Sequence, residues 1–258
     1  MRYKVVLSFV VGMVIAMVVA YANTLDELVK CTWSLESTLA RGTGTLFKSP
    51  KDGKWYFLTA GHCVEDLRSE QKEVNPEGKE IVKEKWEDAY IVQKVTAIVD
   101  DIETEVGTVR LRAKVVAYSK FEDEDLALLE VYAMPFEAVS AQFAPPDLQL
   151  QLGEQVWHVG NLRGELTASL TAGHISAVGR IYKSKPFIQT TTVAVPGSSG
   201  GGIYVQRDGK FYYVGMITLG DAQASNINFA IPFQRIRKWL HKVGYAHVIG
   251  DKDEQQSN

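Results

Sequence analysis

The sequence predicts an all-β chain, a sandwich or a pair of barrels closed by one C-terminal helix. Three observations predict it. Short runs rich in Val, Ile, Tyr, Phe and Thr recur along the 258 residues, with Gly, Pro or Asp-Gly signals between most of them, as strands and tight turns require. Only one segment carries a sustained helical period: Phe233, Ile236, Trp239, Leu240 and Val243, opened by Pro232 and stopped by Gly244. Apolar residues make up 46% of the chain and charged ones 23%, which suits a packed core and excludes a disordered segment.

Taken in order, Arg2 and Lys4 open the chain and Val5 to Ala20 runs without a charge into Ala20-Tyr21-Ala22. That small-x-small pattern predicts a signal peptide over 1–22, cut before Asn23, and hence a periplasmic or secreted protein. The competing reading is an uncleaved anchor, because residues 5–22 are just long enough to span a bilayer. Thr24-Leu-Asp-Glu27 reads as a capping box opening a short helix through Lys30. Strands follow at Cys31–Glu36, Gly42–Phe47 and Trp55–Thr59, the last preceded by the turn signal Lys51-Asp-Gly-Lys54. Glu65 to Asp88 is highly charged without an apolar period and reads as a solvated loop insertion. Ala89–Val99 and Val106–Tyr118 are β-branched runs joined through the acidic turn Asp100-Asp101, and Leu126–Tyr132 is another strand.

Ala144-Pro-Pro-Asp147 reads as a linker, dividing residues 23–245 into halves of about 23–140 and 141–245. One continuous sandwich is the alternative. Beyond the linker, strands are predicted at Gln155–Val159, Ala168–Val178, Phe187–Val193, Gly202–Val205, Phe211–Thr218 and Asn228–Ile231. Residues 246–258 read as a polar tail.

Composition narrows the function. The net charge is −3, with no Lys/Arg cluster of the kind that tracks phosphates, which argues against nucleic acid as a partner. The five histidines show no metal-ligand spacing and the two cysteines no CxxC, so neither a metal nor a cofactor is expected.

Three stretches carry chemistry. Pro196-Gly-Ser-Ser-Gly-Gly-Gly202 can place a serine on a tight turn with backbone N–H groups free to hold an oxyanion; alone it equally describes a hairpin or linker. Phe57-Leu-Thr-Ala-Gly-His62-Cys63 delivers a histidine at the end of a strand, where the ring can serve as a general base. Glu122-Asp-Glu-Asp125-Leu-Ala-Leu-Leu129 runs from an acidic loop into an apolar strand, a junction that buries Asp125 in part, with Asp123 as its nearest competitor.

The chain order His, Asp, Ser resembles that of the chymotrypsin-like serine proteases. Within them the sequence is similar to the HtrA (DegP-like) protease domain over about residues 40–240. The likeness rests on Gly42-Thr-Gly-Thr-Leu-Phe47, Trp157-His-Val-Gly-Asn161, Leu170-Thr-Ala-Gly-His-Ile-Ser-Ala-Val-Gly-Arg180, Ile188-Gln-Thr190 and Asn228-Phe-Ala-Ile-Pro232, besides the three motifs. The resemblance implies two antiparallel six-stranded β-barrels with the site in the cleft between them. It makes Ser199 the nucleophile, His62 the general base and acid, and Asp125 the orienting carboxylate, with an oxyanion hole from the N–H groups of Gly197 and Ser199. His174, in a second Thr-Ala-Gly-His, falls in the second barrel after Asp125 and reads as structural, as does His158.

The resemblance also places Val193, Ala194, Gly220 and Ile227 along the primary specificity pocket. With no acid at the pocket base, it implies a polypeptide substrate cut after small or medium aliphatic residues. Ser198 precedes the nucleophile where digestive proteases have Asp, so activation by a freed N-terminus is not expected. The chain ends soon after the predicted helix, and no PDZ domain is expected. A bridge between Cys31 and Cys63 stands open against two buried free thiols, because the family's partner for a cysteine beside the histidine lies nearer Gly42. Two other readings compete: a catalytically silent protein binding unfolded or partner polypeptides through the same cleft, and a serine esterase.

Overall fold

The computed structural model describes residues 25–74, 76–134, 138–164, 166–221 and 224–252. The first barrel is built from β1 (Thr32–Glu36), β2 (Arg41–Lys48), β3 (Trp55–Ala60), β6 (Ala89–Val99), β7 (Ile102–Ser119) and β8 (Leu126–Val131). Its strands run β1-β2-β3-β8-β7-β6, and β6 pairs back onto β1 to close it. The second holds β9 (Gln155–Leu162), β10 (Leu166–Tyr182), β11 (Lys185–Thr190), β12 (Gly202–Arg207), β13 (Lys210–Asp221) and β14 (Ala224–Pro232) in the order β10-β11-β14-β13-β12-β9. The fold is all-β, with two antiparallel barrels rather than one sandwich.

Local chemistry explains the strands. In β3 the run Trp-Tyr-Phe-Leu-Thr-Ala is buried at every position after the first, and it pairs Phe57 with Leu129 and Leu58 with Leu128 of β8. A strand covered on both faces needs an unbroken apolar run rather than alternation. Three hairpins close through two residues of positive φ: Asp100-Asp101 at 50° and 60°, Lys183-Ser184 at 47° and 64°, and Asp208-Gly209 at 50° and 76°. Such turns match the twist of the strands they join.

Two expectations need correction. The charged stretch 65–88 is not a loop: a 3-10 turn over Glu65–Leu67 leads into a ribbon of β4 (Arg68–Val74) and β5 (Glu80–Trp86). Both faces of this ribbon are largely exposed, so no apolar period marks it. Cross-strand ion pairs such as Lys83 with Glu73, 2.6 Å apart, replace one. The segment between Val99 and Val106 is also ordered into strand, since β6 and β7 continue to their two-residue turn well beyond the barrel. There Ile98 and Ile102 are 70% and 67% exposed.

The barrels share a seam. The Phe47 ring meets Tyr213 edge-on at 5.3 Å, and Phe143, just before the Pro145-Pro146 linker, stacks on Tyr213 at 5.6 Å. The C-terminal helix spans Phe233–Lys242 and buries Phe233, Ile236, Trp239 and Leu240; its Arg237 guanidinium donates to the Ala144 carbonyl. A helical turn over 25–30 precedes β1, with Leu28 buried in the core. The predicted cap at Thr24, the signal segment 1–22 and residues 253–258 of the tail lie outside the described residues. Among the described residues no helix is long and apolar enough to cross a membrane.

Candidate active site

β3 ends at Ala60 and the chain turns through a single 3-10 turn, Gly61–Cys63, which brings His62 to the cleft edge. Across it, the loop after β7 reaches Asp125 in the left-handed region, φ 53°, a conformation aspartate tolerates better than most residues. Asp125 is 4% exposed. Its Oδ1 accepts from the His62 backbone N–H at 2.9 Å, and the His62 Nδ1 lies 3.0 Å from both carboxylate oxygens. Oδ2 also accepts the hydroxyl of Thr218, which reaches over from β13 of the second barrel. A carboxylate facing Nδ1 selects the tautomer that keeps its proton there and leaves Nε2 free to accept. Burial works against a charged ring, the Asp125 hydrogen bond together with neighbouring Cys63 and the Asp125 charge outweighs it, and His62 titrates above the ordinary histidine range. Asp123, two residues away, is exposed.

Ser199 shares a cleft of about 370 Å³ with His62, Phe121, Ala194, Pro196 and Gly220. Its hydroxyl donates no hydrogen bond to the ring among the described residues, a looseness common before substrate binds. The turn around it is tightly determined. Gly197 and Gly200 sit at φ 95° and 90°. A β-carbon on Gly197 would fall 2.5 Å from the Gly164 nitrogen, and one on Gly200 only 1.9 Å from the Thr43 carbonyl. The Pro196 carbonyl accepts from Arg163 N–H at 2.8 Å and the Ser198 carbonyl from Gly201 N–H at 2.9 Å. In a trans peptide N–H and C=O point opposite ways, so the N–H groups of Gly197 and Ser199 face away from those partners. Neither donates a hydrogen bond among the described residues, which leaves two adjacent donors available for a developing oxyanion.

The structure places His62 and Ser199 on one cleft, with Asp125 buried behind the His62 ring. It separates the four predicted pocket residues: Ala194 and Gly220 line the cleft, together with Val195, Ile217, Leu219 and Asn228, whereas Val193 and Ile227 are not among the lining residues. They are 38% and 37% exposed. Among the described residues the only ionisable side chain lining the cleft is His62.

His174 is exposed on β10 and His158 is fully buried on β9, hydrogen-bonded through Nδ1 to the Gly202 carbonyl at 3.2 Å and pushed down to about 4 by burial. Cys31 and Cys63 are buried free thiols. Cys63 Sγ packs against Gly42, 2.7 Å from where a β-carbon there would lie, and Cys31 Sγ lies 3.6 Å from the Tyr204 hydroxyl.

Sequence reasoning missed Thr218, Phe121 and Asn228. Phe121 meets the His62 ring edge-on at 6.0 Å, and Asn228 donates from Nδ2 to the Thr192 carbonyl at 2.6 Å behind the pocket. For Thr218 and Asn228 the one signal available was polarity inside otherwise apolar strands; Phe121, in the turn after β7, carried none.

Residues 42–216 match the trypsin-like peptidase domain. The chain is 30% identical over 202 residues to HhoB of Synechocystis sp., which carries a serine protease name, and 31% identical over 199 residues to a protein of Chlamydia muridarum named as a DegP-like periplasmic serine endoprotease. These alignments cover 75% and 74% of this chain but only 38% and 31% of those relatives. Among solved structures, the serine endoprotease from Yersinia pestis superposes with a TM-score of 0.60 at 21% identity, covering 86% of this chain and 66% of that one. Deg5 superposes with a TM-score of 0.59 at 20% identity, covering 88% of this chain and 95% of that one. At such identities the structural likeness concerns the fold.

Proposed function

Because the chain belongs to the trypsin-like peptidase family, we propose that it is an exported serine endopeptidase of HtrA-like type that hydrolyses peptide bonds through Ser199, His62 and Asp125. The observation that carries the reading is the Asp125 carboxylate held against His62 Nδ1 at 3.0 Å, behind a cleft that His62 and Ser199 both line beside two unengaged backbone donors.

The steps follow from these positions. Nε2 of His62 takes the Ser199 proton as Oγ attacks the substrate carbonyl, and the N–H groups of Gly197 and Ser199 hold the oxyanion. The imidazolium, stabilised by Asp125, returns its proton to the leaving amine and an acyl-enzyme remains. Water, deprotonated by the same nitrogen, then attacks the ester and releases Ser199. The apolar lining contributed by Ala194, Val195, Ile217 and Leu219 supports cleavage after small or medium aliphatic residues, because a charged side chain would be desolvated there without a partner. Export rests on the leader-like segment 1–22 and on the periplasmic name of one relative.

A fluorophosphonate probe tests the reading. Wild type is expected to label covalently and Ser199→Ala is not. A folded wild type that fails to label would leave the cleft as a binding site only.

A further inference from the structure

Gly197 presents a physical problem that the chain must solve elsewhere. Its conformation, φ 95°, requires glycine, yet glycine reverses its backbone at little cost. Rotation of the Pro196–Gly197 peptide beside it would turn one donor of the oxyanion hole away from the cleft. The loop therefore needs an anchor outside itself.

Thr43 supplies one. It lies on β2 of the first barrel, between Gly42 and Gly44, and is fully buried. Its hydroxyl donates to the Gly197 carbonyl at 2.7 Å and accepts the Asn161 backbone N–H from β9 at 2.7 Å. Its backbone N–H donates to the Ser199 carbonyl at 2.8 Å, and its carbonyl accepts the Thr59 hydroxyl at 2.6 Å. Asn161 is fixed in turn, donating from Nδ2 to the Ser34 hydroxyl of β1 at 2.9 Å.

The peptide between Gly197 and Ser198 is thus held at both ends. Its carbonyl is bound to Thr43, and its N–H donates to the Val195 carbonyl at 2.9 Å. With that plane fixed, the donors on either side keep the orientation set by Arg163 and Gly201.

We propose that Thr43 is a positioning residue whose hydroxyl latches the oxyanion loop of the second barrel to β2 of the first, and so keeps the Gly197 and Ser199 N–H groups aimed at the substrate carbonyl. The catalytic part of this inference rests on Ser199 being the nucleophile; the mechanical part does not. Released from Thr43, the Gly197 carbonyl lets the loop sample peptide orientations in which the hole is incomplete. The pocket that binds the substrate side chain is untouched. The loss therefore falls on turnover rather than on binding.

The experiment compares Thr43→Val, which removes the hydroxyl at nearly constant shape, with Thr43→Ser, which keeps it. Hydrogen exchange is followed at the Ser198 and Gly200 amides of the full chain, alongside peptide hydrolysis and fluorophosphonate labelling of wild type and Ser199→Ala. Thr43→Val is expected to speed exchange at both amides at least about tenfold, with strands β11 and β14 unchanged. Its kcat is expected to fall at least about tenfold while KM stays within about threefold, and Thr43→Ser stays near wild type in both measurements.

Unchanged loop exchange in Thr43→Val overturns the latch, as does a uniform rise across both barrels, which would mark Thr43 as structural only. Released exchange with unchanged kcat overturns its part in catalysis. Wild type and Ser199→Ala labelling alike would instead overturn the nucleophile assignment, and loop exchange would still decide the latch.

Discussion

Thr218 of the second barrel donates its hydroxyl to the buried carboxylate of Asp125 in the first. The carboxylate that orients the histidine is therefore held from both sides of the cleft: by His62 from its own barrel and by Thr218 from the other.

Removing that hydroxyl tests the arrangement. Thr218→Val keeps the volume and leaves Oδ2 without one donor, which costs about 1.5–3 kcal/mol for a bond to a charged group. Denaturant unfolding is expected to register the loss, with kcat down about tenfold for each 1.4 kcal/mol lost in the transition state. Thr218→Ser is expected to restore both. A Val variant with wild-type turnover would show that His62 alone fixes the carboxylate.

The pH dependence has a definite sign. The base form of His62 must be neutral, and its titration lies above the ordinary value because the Asp125 hydrogen bond and charge, with neighbouring Cys63, outweigh burial. The acid limb of kcat/KM is therefore expected above about pH 6.5, the unperturbed histidine value. Asp125→Asn is expected to move it down and lower kcat steeply. In stability the same raised pKa works in the opposite sense. The His62–Asp125 pairing contributes in full below the unfolded histidine pKa and fades as pH rises through the folded one. Thermal unfolding of wild type against Asp125→Asn is expected to differ most on the acid side of neutrality and to converge at alkaline pH.

Substrate preference follows from the lining. In peptides that differ only before the scissile bond, Val or Ala is expected to exceed Lys or Glu by at least about tenfold in kcat/KM. A preference for Lys or Arg would mean that a carboxylate reaches the pocket.

Two glycines of the second barrel provide a matched pair. Gly200 at φ 90° has the Thr43 carbonyl 1.9 Å from its would-be β-carbon, whereas Gly209 at φ 76° has open space. Gly209→Ala is expected to cost about 1 kcal/mol through backbone strain alone. Gly200→Ala adds a collision with buried backbone and is expected to cost several times more and to abolish labelling. Equal costs in chemical denaturation would contradict the packing around Ser199.

The candidates His62, Asp125 and Ser199 stand out in the sequence because each sits inside a short motif with its own local chemistry: a strand end, an acid-to-apolar junction, a glycine turn. Thr43 and Thr218 do not, since their roles arise from contacts with residues 154 and 93 positions away. A lone threonine in an apolar strand carries no local mark of that. Val193 and Ile227, which the family resemblance set along the pocket, do not line the cleft, because an approximate alignment fixes neighbours in sequence and not which side chains face the cavity. The ribbon of β4 and β5 escaped notice because two solvated faces leave no alternation to read.

The two thiols have a consequence for how this chain is made. Cys31 is buried at 1% exposure, and its thiol is pushed up to about 11 by that burial, with the Tyr204 hydroxyl bond opposing. A thiol so rarely ionised is a poor partner for exchange. Cys63 is engaged with the Ser199 carbonyl at 3.8 Å. Since neither sulfur bridges the barrels, assembly requires no oxidant and no disulfide isomerase. Refolding yields with and without dithiothreitol are therefore expected to match.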